Sequence, residues 1–74
     1  MNIFSKTIRE ERQLHVKDLE QAKQLVGGIG ARCSRMLARN PLDAHNFAQR
    51  EMAERIAVQI AVLQNKIQES MNDT

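Results

Sequence analysis

The sequence predicts an all-α protein in which two long antiparallel helices form a helical hairpin, and three observations lead to that prediction. Good helix formers dominate the composition, namely Ala, Leu, Gln, Glu, Arg and Lys. The aromatic residues that favour strands are scarce, with two Phe, no Tyr and no Trp among 74 residues. The single proline, Pro41, lies near the middle of the chain, and apolar residues on both sides of it recur with helical spacing.

The first helix is expected over about residues 5–38. At 100° per residue, one face of it collects Phe4, Ile8, His15, Leu19, Ala22, Val26, Ile29, Cys33 and Leu37. This stripe stays in phase across the Gly27-Gly28-Ile29-Gly30 segment, although each glycine weakens a helix by roughly 1 kcal/mol relative to Ala. We therefore expect a continuous helix that is weakened or bent near Gly27–Gly30, with a loop as the alternative.

A short turn is expected at about residues 39–41, and a second helix over about 41–70. Asn40 is suited to cap that helix, Pro41 to occupy its first position and Asp43 to favour its first turn. The apolar face of the second helix comprises Leu42, Met52, Ala53, Ile56, Ile60, Leu63 and Ile67. So short a connection predicts that the two apolar faces pack as the seam of one domain spanning residues 1–74.

Length and composition restrict the functions that need considering. A chain this short is marginally stable alone, which favours help from a partner. The single Cys33 excludes an internal disulfide and is typical of a reducing compartment. One Cys and two His without paired spacing do not predict a zinc site, and no cofactor is expected. The N-terminus does not resemble a signal peptide, and no apolar run is long enough to cross a bilayer, so the expected location is the cytoplasm.

No reactive arrangement of residues is evident, so the sequence does not predict an enzyme. The serine hydroxyls have no base placed near them by any motif. Gly27, Gly28 and Gly30 lie within a helical pattern. A nucleotide-binding glycine loop follows a strand, so the context for such a loop is missing here.

A surplus of apolar surface is the most informative feature. Seven of the eight residues from Ile56 to Leu63 are apolar, so that segment is hydrophobic around nearly its whole circumference. A stripe of small residues on the first helix, which includes Gly27 and Ala31, could let another helix approach closely. The predicted partner face therefore consists of Phe47, Val58, Ala61, Val62, Gly27 and Ala31. The alternative is ordinary scattered surface residues.

The second half of the chain resembles the YscE-like family, the small co-chaperones of the type III secretion needle subunit. The resemblance covers roughly Met36 to Leu63 and rests on Arg39 before the turn, Asp43-Ala44, Phe47, the Gln49-Arg50-Glu51 stretch and the apolar run that follows. It implies a cytoplasmic bacterial hairpin that pairs with a larger chaperone of tetratricopeptide-like repeats. Through that chaperone, it would keep the needle subunit monomeric before export.

Two other functions remain open at this level. Two hairpins could pair into a four-helix bundle that presents Arg32, Arg35 and Arg39 to RNA, although the net charge of +2 and the lack of stacking aromatics argue against nucleic acid. Alternatively, the chain could be a homo-oligomeric structural hairpin. An isolated chain could self-dimerise under any of these interpretations, because a second copy would remove its apolar patch from water.

Overall fold

The computed structural model describes the backbone of residues 3–72 and the side chains of residues 6–72. Within that range, helix α1 (Ile3–Arg39) is followed by helix α2 (Ala44–Asn72), which packs along it. The all-α hairpin is thereby confirmed, while the predicted role of Phe4 in the seam lies outside the described side chains. The hairpin is a rod of 58 × 15 × 13 Å. Its radius of gyration is 17.1 Å, whereas a compact domain of this length would have one of about 11 Å.

Helix α1 continues without interruption through the glycine segment. The described glycines all have negative φ, so none of them terminates the helix. Gly30 faces α2, where a methyl group added to it would lie 3.9 Å from the Cβ of Ala53. A methyl group at Gly30 would therefore make an ordinary van der Waals contact with Ala53, so the two helices lie close together at the middle of the rod.

The turn between the helices differs in detail from its prediction. The amide of Asp43 donates to the carbonyl of Asn40 at 3.2 Å, which closes a β-turn with Pro41 and Leu42 at its centre. Helix α2 consequently begins at Ala44 and not at Pro41, and its capping residue is Asp43 and not Asn40. One carboxylate oxygen of Asp43 accepts the amide N–H of Asn46 at 3.1 Å, and the other accepts its side-chain N–H at 2.8 Å.

The seam between the helices follows alternating steps of three and four residues, the spacing of a coiled coil. Its positions on α1 are Val16, Leu19, Lys23, Val26, Gly30, Cys33 and Leu37. Its positions on α2 are Asn46, Arg50, Ala53, Ala57, Ile60, Gln64 and Ile67. Among the described residues, the buried hydrophobic side chains are Cys33, Ala53 and Leu37, with Cys33 4% and Ala53 6% exposed. The hairpin thus has a narrow contact line and hardly any core.

Several large apolar residues that were predicted to lie in the seam are outside it. These are Ile29 on α1 and Met52, Ile56 and Leu63 on α2, and His15 is exposed as well. Leu42 belongs to the turn and is 92% exposed. The helices approach closely at Gly30 and Ala53, where no bulky side chain fits between them. Away from that point the seam also holds large apolar side chains, such as the buried Leu37, and the mispredicted residues lie along its sides.

A polar contact crosses the seam near the open end of the hairpin. The side-chain amide of Gln64 donates to the Val16 carbonyl at 3.3 Å and to the Glu20 carboxylate at 3.1 Å. Lys23 also pairs with Glu20, at 3.0 Å. The hydrogen bond from Gln64, followed by that from Lys23, lowers the pKa of the Glu20 carboxyl from its ordinary value of 4.5.

Two arginines of α1 bind the last turn of α2. Arg12 donates to the carbonyl of Ser70 at 3.0 Å, and Arg9 donates to that of Met71 at 3.4 Å. Positive charge is favourable at a helix C-terminus, where the carbonyl groups carry partial negative charge. The basic residues near the start of the chain therefore hold the open end of the hairpin together.

Replacing the capping residue should destabilise the hairpin. We expect Asp43→Ala to lower the free energy of unfolding by about 2 kcal/mol, because the cap is lost and the buried Asn46 side chain loses its acceptor. Asp43→Asn keeps an acceptor and should lose less. Urea unfolding followed by circular dichroism measures both, and equal stability of Asp43→Ala and wild type would contradict this assignment of the cap.

The contact of Glu20 should make stability depend on pH in a defined direction. Because the Glu20 pKa is lowered in the folded state, its contribution is present above pH 4.5 and disappears as the pH falls through the folded pKa. The melting temperature of wild type should therefore exceed that of Glu20→Gln at neutral pH, and the difference should shrink in acid. A difference that is constant across this range would show that the carboxylate charge has no role.

Candidate functional site

The described part of the chain exposes more large apolar side chains than it buries. Eleven of them are exposed, against three buried hydrophobic residues. They are Leu14, Leu25, Ile29, Met36, Leu42, Phe47, Met52, Ile56, Val58, Val62 and Leu63. Helical spacing distributes most of these residues between the two long edges of the hairpin, one on each side of the seam.

The first edge, here called the groove edge, holds most of the predicted partner face. Phe47, Val58 and Ala61 of α2 are exposed on it, and Gly27 and Ala31 of α1 are exposed beside them. The exposed fraction is 47% for Phe47 and 63% for Val58. The tertiary structure thus brings the two parts of the predicted face to the same side of the molecule. Val62 lies apart from them, since its position on α2 points almost directly away from the seam.

A shallow groove runs along this edge between the two helices. Its lining residues are mostly small: Val26, Gly27, Gly30, Ala31, Ser34, Ala53, Glu54 and Ala57. A methyl group added to Gly27 would have no neighbour within 4 Å, so the space beside that residue is open. A groove with such a floor can accept the bulky side chains of another helix.

The second edge, here called the apolar edge, was not predicted as an interaction surface. It consists of Leu25, Ile29 and Met36 from α1 with Met52, Ile56 and Leu63 from α2, and all six are exposed. The hydrogen bond from the Cys33 thiol to Gln49 Oε1, at 3.9 Å, crosses the seam beside this edge. The sequence could have revealed this edge, because the apolar stripe on each helix is wider than the face that one partner helix covers.

Charged groups frame both edges. The guanidinium of Arg50 lies 5.5 Å from the centre of the Phe47 ring, a cation–π contact that orients this ring at the rim of the groove edge. Arg32, Arg35 and Arg39 form an exposed basic stripe on the outside of α1, next to Met36. Charge also enters both surfaces, since Glu54 lines the groove and Arg32 lies beside Met36.

Within residues 3–72, no three His, Cys, Asp or Glu side chains come together as a metal site would require. The Cys33 thiol is buried in the seam. Neither described helix is long and apolar enough to cross a membrane.

Comparison of the chain with protein families, with curated proteins and with solved structures finds no match.

The open space at Gly27 gives a direct test of the groove. We expect Gly27→Ala to raise the free energy of unfolding by roughly 1 kcal/mol, because alanine favours the helix and meets no neighbour there. Chemical unfolding of the purified chain measures this change. A loss of stability would indicate that the groove is filled in the folded protein and would remove it as a docking surface.

Proposed function

We propose that this chain is a non-enzymatic protein-binding hairpin whose groove edge docks on a helical partner. The observation that supports this most directly is the imbalance between eleven exposed large apolar residues and three buried hydrophobic ones. Water-exposed apolar surface on this scale is typical of a protein-interaction site. A partner that covers it also stabilises the hairpin, because binding to the folded state alone shifts the folding equilibrium.

In its specific form, the proposal is that of a co-chaperone in a type III secretion system. The partner is then a larger chaperone built of tetratricopeptide-like repeats, and the pair keeps the needle subunit unpolymerised in the bacterial cytoplasm. The supporting features are the resemblance around Arg39, Asp43-Ala44 and Phe47, together with the short hairpin architecture. Helical repeats present apolar helix surfaces, which a hairpin edge of this kind can cover.

The groove edge suggests how such a partner would be held. Gly27 and Ala31 line the groove and allow the backbone of an incoming helix to come close, while the exposed Phe47 and Val58 of α2 would provide apolar contacts outside the groove. Hot spots of binding lie near the centre of an interface, so the proposal places Phe47 where the partner covers it fully. The energy of docking would then come from burial of these side chains, at roughly 25 cal/mol per Å² of apolar area.

Co-expression with a candidate repeat chaperone and its needle subunit tests the proposal. We expect wild type to copurify as a stable complex and Val58→Glu to lose it, because a charge would be buried without a partner. Leu14→Glu is a matched control, since Leu14 is similarly exposed, at 55%, and lies on α1 away from the groove. Circular dichroism verifies that both variants remain helical.

A second substitution separates stability from binding. The space beside Gly27 is open, so the leucine side chain of Gly27→Leu would occupy the groove without displacing a neighbour. The hairpin should therefore stay folded, while the complex should weaken at least tenfold. If Val58→Glu and Gly27→Leu both bind like wild type while Leu14→Glu does not, the assignment of the groove edge is wrong. If no candidate chaperone binds the wild-type chain, the co-chaperone role is wrong.

A further inference from the structure

The apolar edge, which the proposed function does not use, has a symmetry that points to its occupant. On α1, the residues Ala22, Ile29 and Met36 follow one another at intervals of seven, so they lie in one row. A second α1 running antiparallel, with Ile29 facing Ile29, places the small Ala22 opposite the large Met36 of the second copy. The same arrangement places Met36 opposite the second copy's Ala22.

One pair of charges beside that row matches in the same register, while Arg32 comes level with Leu25 of the second copy. Asp18 lies eleven residues before Ile29, and Arg39 lies ten residues after it. Both are exposed on the same side of α1 as Leu25, and neither makes an ion pair among the side chains that the structure describes. They cannot reach each other within one chain, because the helix between them spans roughly 32 Å. In the antiparallel pair, Asp18 comes level with Arg39 of the second copy, and this happens twice in each dimer.

On α2, the apolar edge has Met52 in the position that corresponds to Ile29 on α1. Ile29 and Met52 adjoin Gly30 and Ala53, whose contact puts the two residues at nearly the same level of the rod. A single twofold axis can therefore pass between them.

We propose that the apolar edge binds a second copy of this chain in an antiparallel four-helix bundle, with the twofold axis passing between Ile29 and Met52. A helix with a stripe wider than one partner can cover is typical of such bundles. The matched stretch is roughly 32 Å long on a rod 15 Å wide, which gives roughly 500 Å² per hairpin, the size of a small and readily reversible interface. The groove edges remain on the outside of the dimer, free for another protein.

Cross-linking of the purified chain alone tests the register. Asp18→Cys and Arg39→Cys are made separately in a Cys33→Ala background and treated with a short bismaleimide. We expect a cross-linked dimer when the two variants are mixed and allowed to exchange, and none from either variant alone. Ala31→Cys, on the groove edge, serves as the matched control and should also give none.

A charge exchange tests the same contact without cross-linking. Asp18→Arg and Arg39→Asp should each weaken dimerisation about tenfold in sedimentation equilibrium, because each change affects two symmetry-related pairs. The double exchange should restore the wild-type dissociation constant. Both positions are exposed, so circular dichroism should show unchanged helicity.

Three results would overturn the dimer. One is a chain that stays monomeric at every concentration tested. Another is a cross-link formed by Asp18→Cys alone, which would indicate parallel hairpins. The third is efficient cross-linking through Ala31→Cys. Because these experiments contain no other protein, their outcome does not depend on the co-chaperone proposal.

Discussion

The close approach of the two helices at Gly30 and Ala53 is the constraint on which the rest of this structure depends. With a hydrogen atom on one side and a methyl group on the other, the helices come too near each other to enclose bulky side chains. At that level the seam holds small residues, and larger apolar side chains such as Leu37 and Ile60 enter it only farther along the rod. Since a two-helix rod has no other interior, the large apolar residues that are not in the seam face outward. The exposed edges are a direct consequence of the narrow seam.

Polar contacts at the two ends fix the register of the two helices, which the narrow seam would not determine by itself. At the closed end, Asp43 caps α2 and satisfies the buried Asn46. Near the open end, Gln64 joins the helices through Glu20, and Arg12 binds the final turn of α2. Hydrogen bonds of this kind contribute modestly to stability but are specific in geometry, so a shifted register would leave several groups unsatisfied.

The two edges differ in chemistry, which suggests separate partners. The groove edge has a floor of small residues, with Phe47 and Val58 exposed outside the groove, and it suits the side chains of a foreign helix. The apolar edge is a broad row of long side chains centred on Ile29 and Met52, and along α1 its sizes and one pair of charges match those of a second copy. Each helix contributes one side to the groove edge and the opposite side to the apolar edge. A hairpin of this size can therefore have two interfaces.

The sequence by itself determined the hairpin, its continuous first helix and the surplus of apolar residues, because composition and periodicity act locally along a helix. It also identified Phe47, Val58, Ala61, Gly27 and Ala31 as outward residues. Only the tertiary structure decided which apolar residues lie in the seam, and it moved Ile29, Met52, Ile56 and Leu63 to an edge. That choice depends on how closely two helices approach, which is a property of facing pairs such as Gly30 and Ala53 and cannot be read from either helix alone. The cap at Asp43 was decided in the same way, by the turn that joins the two helices.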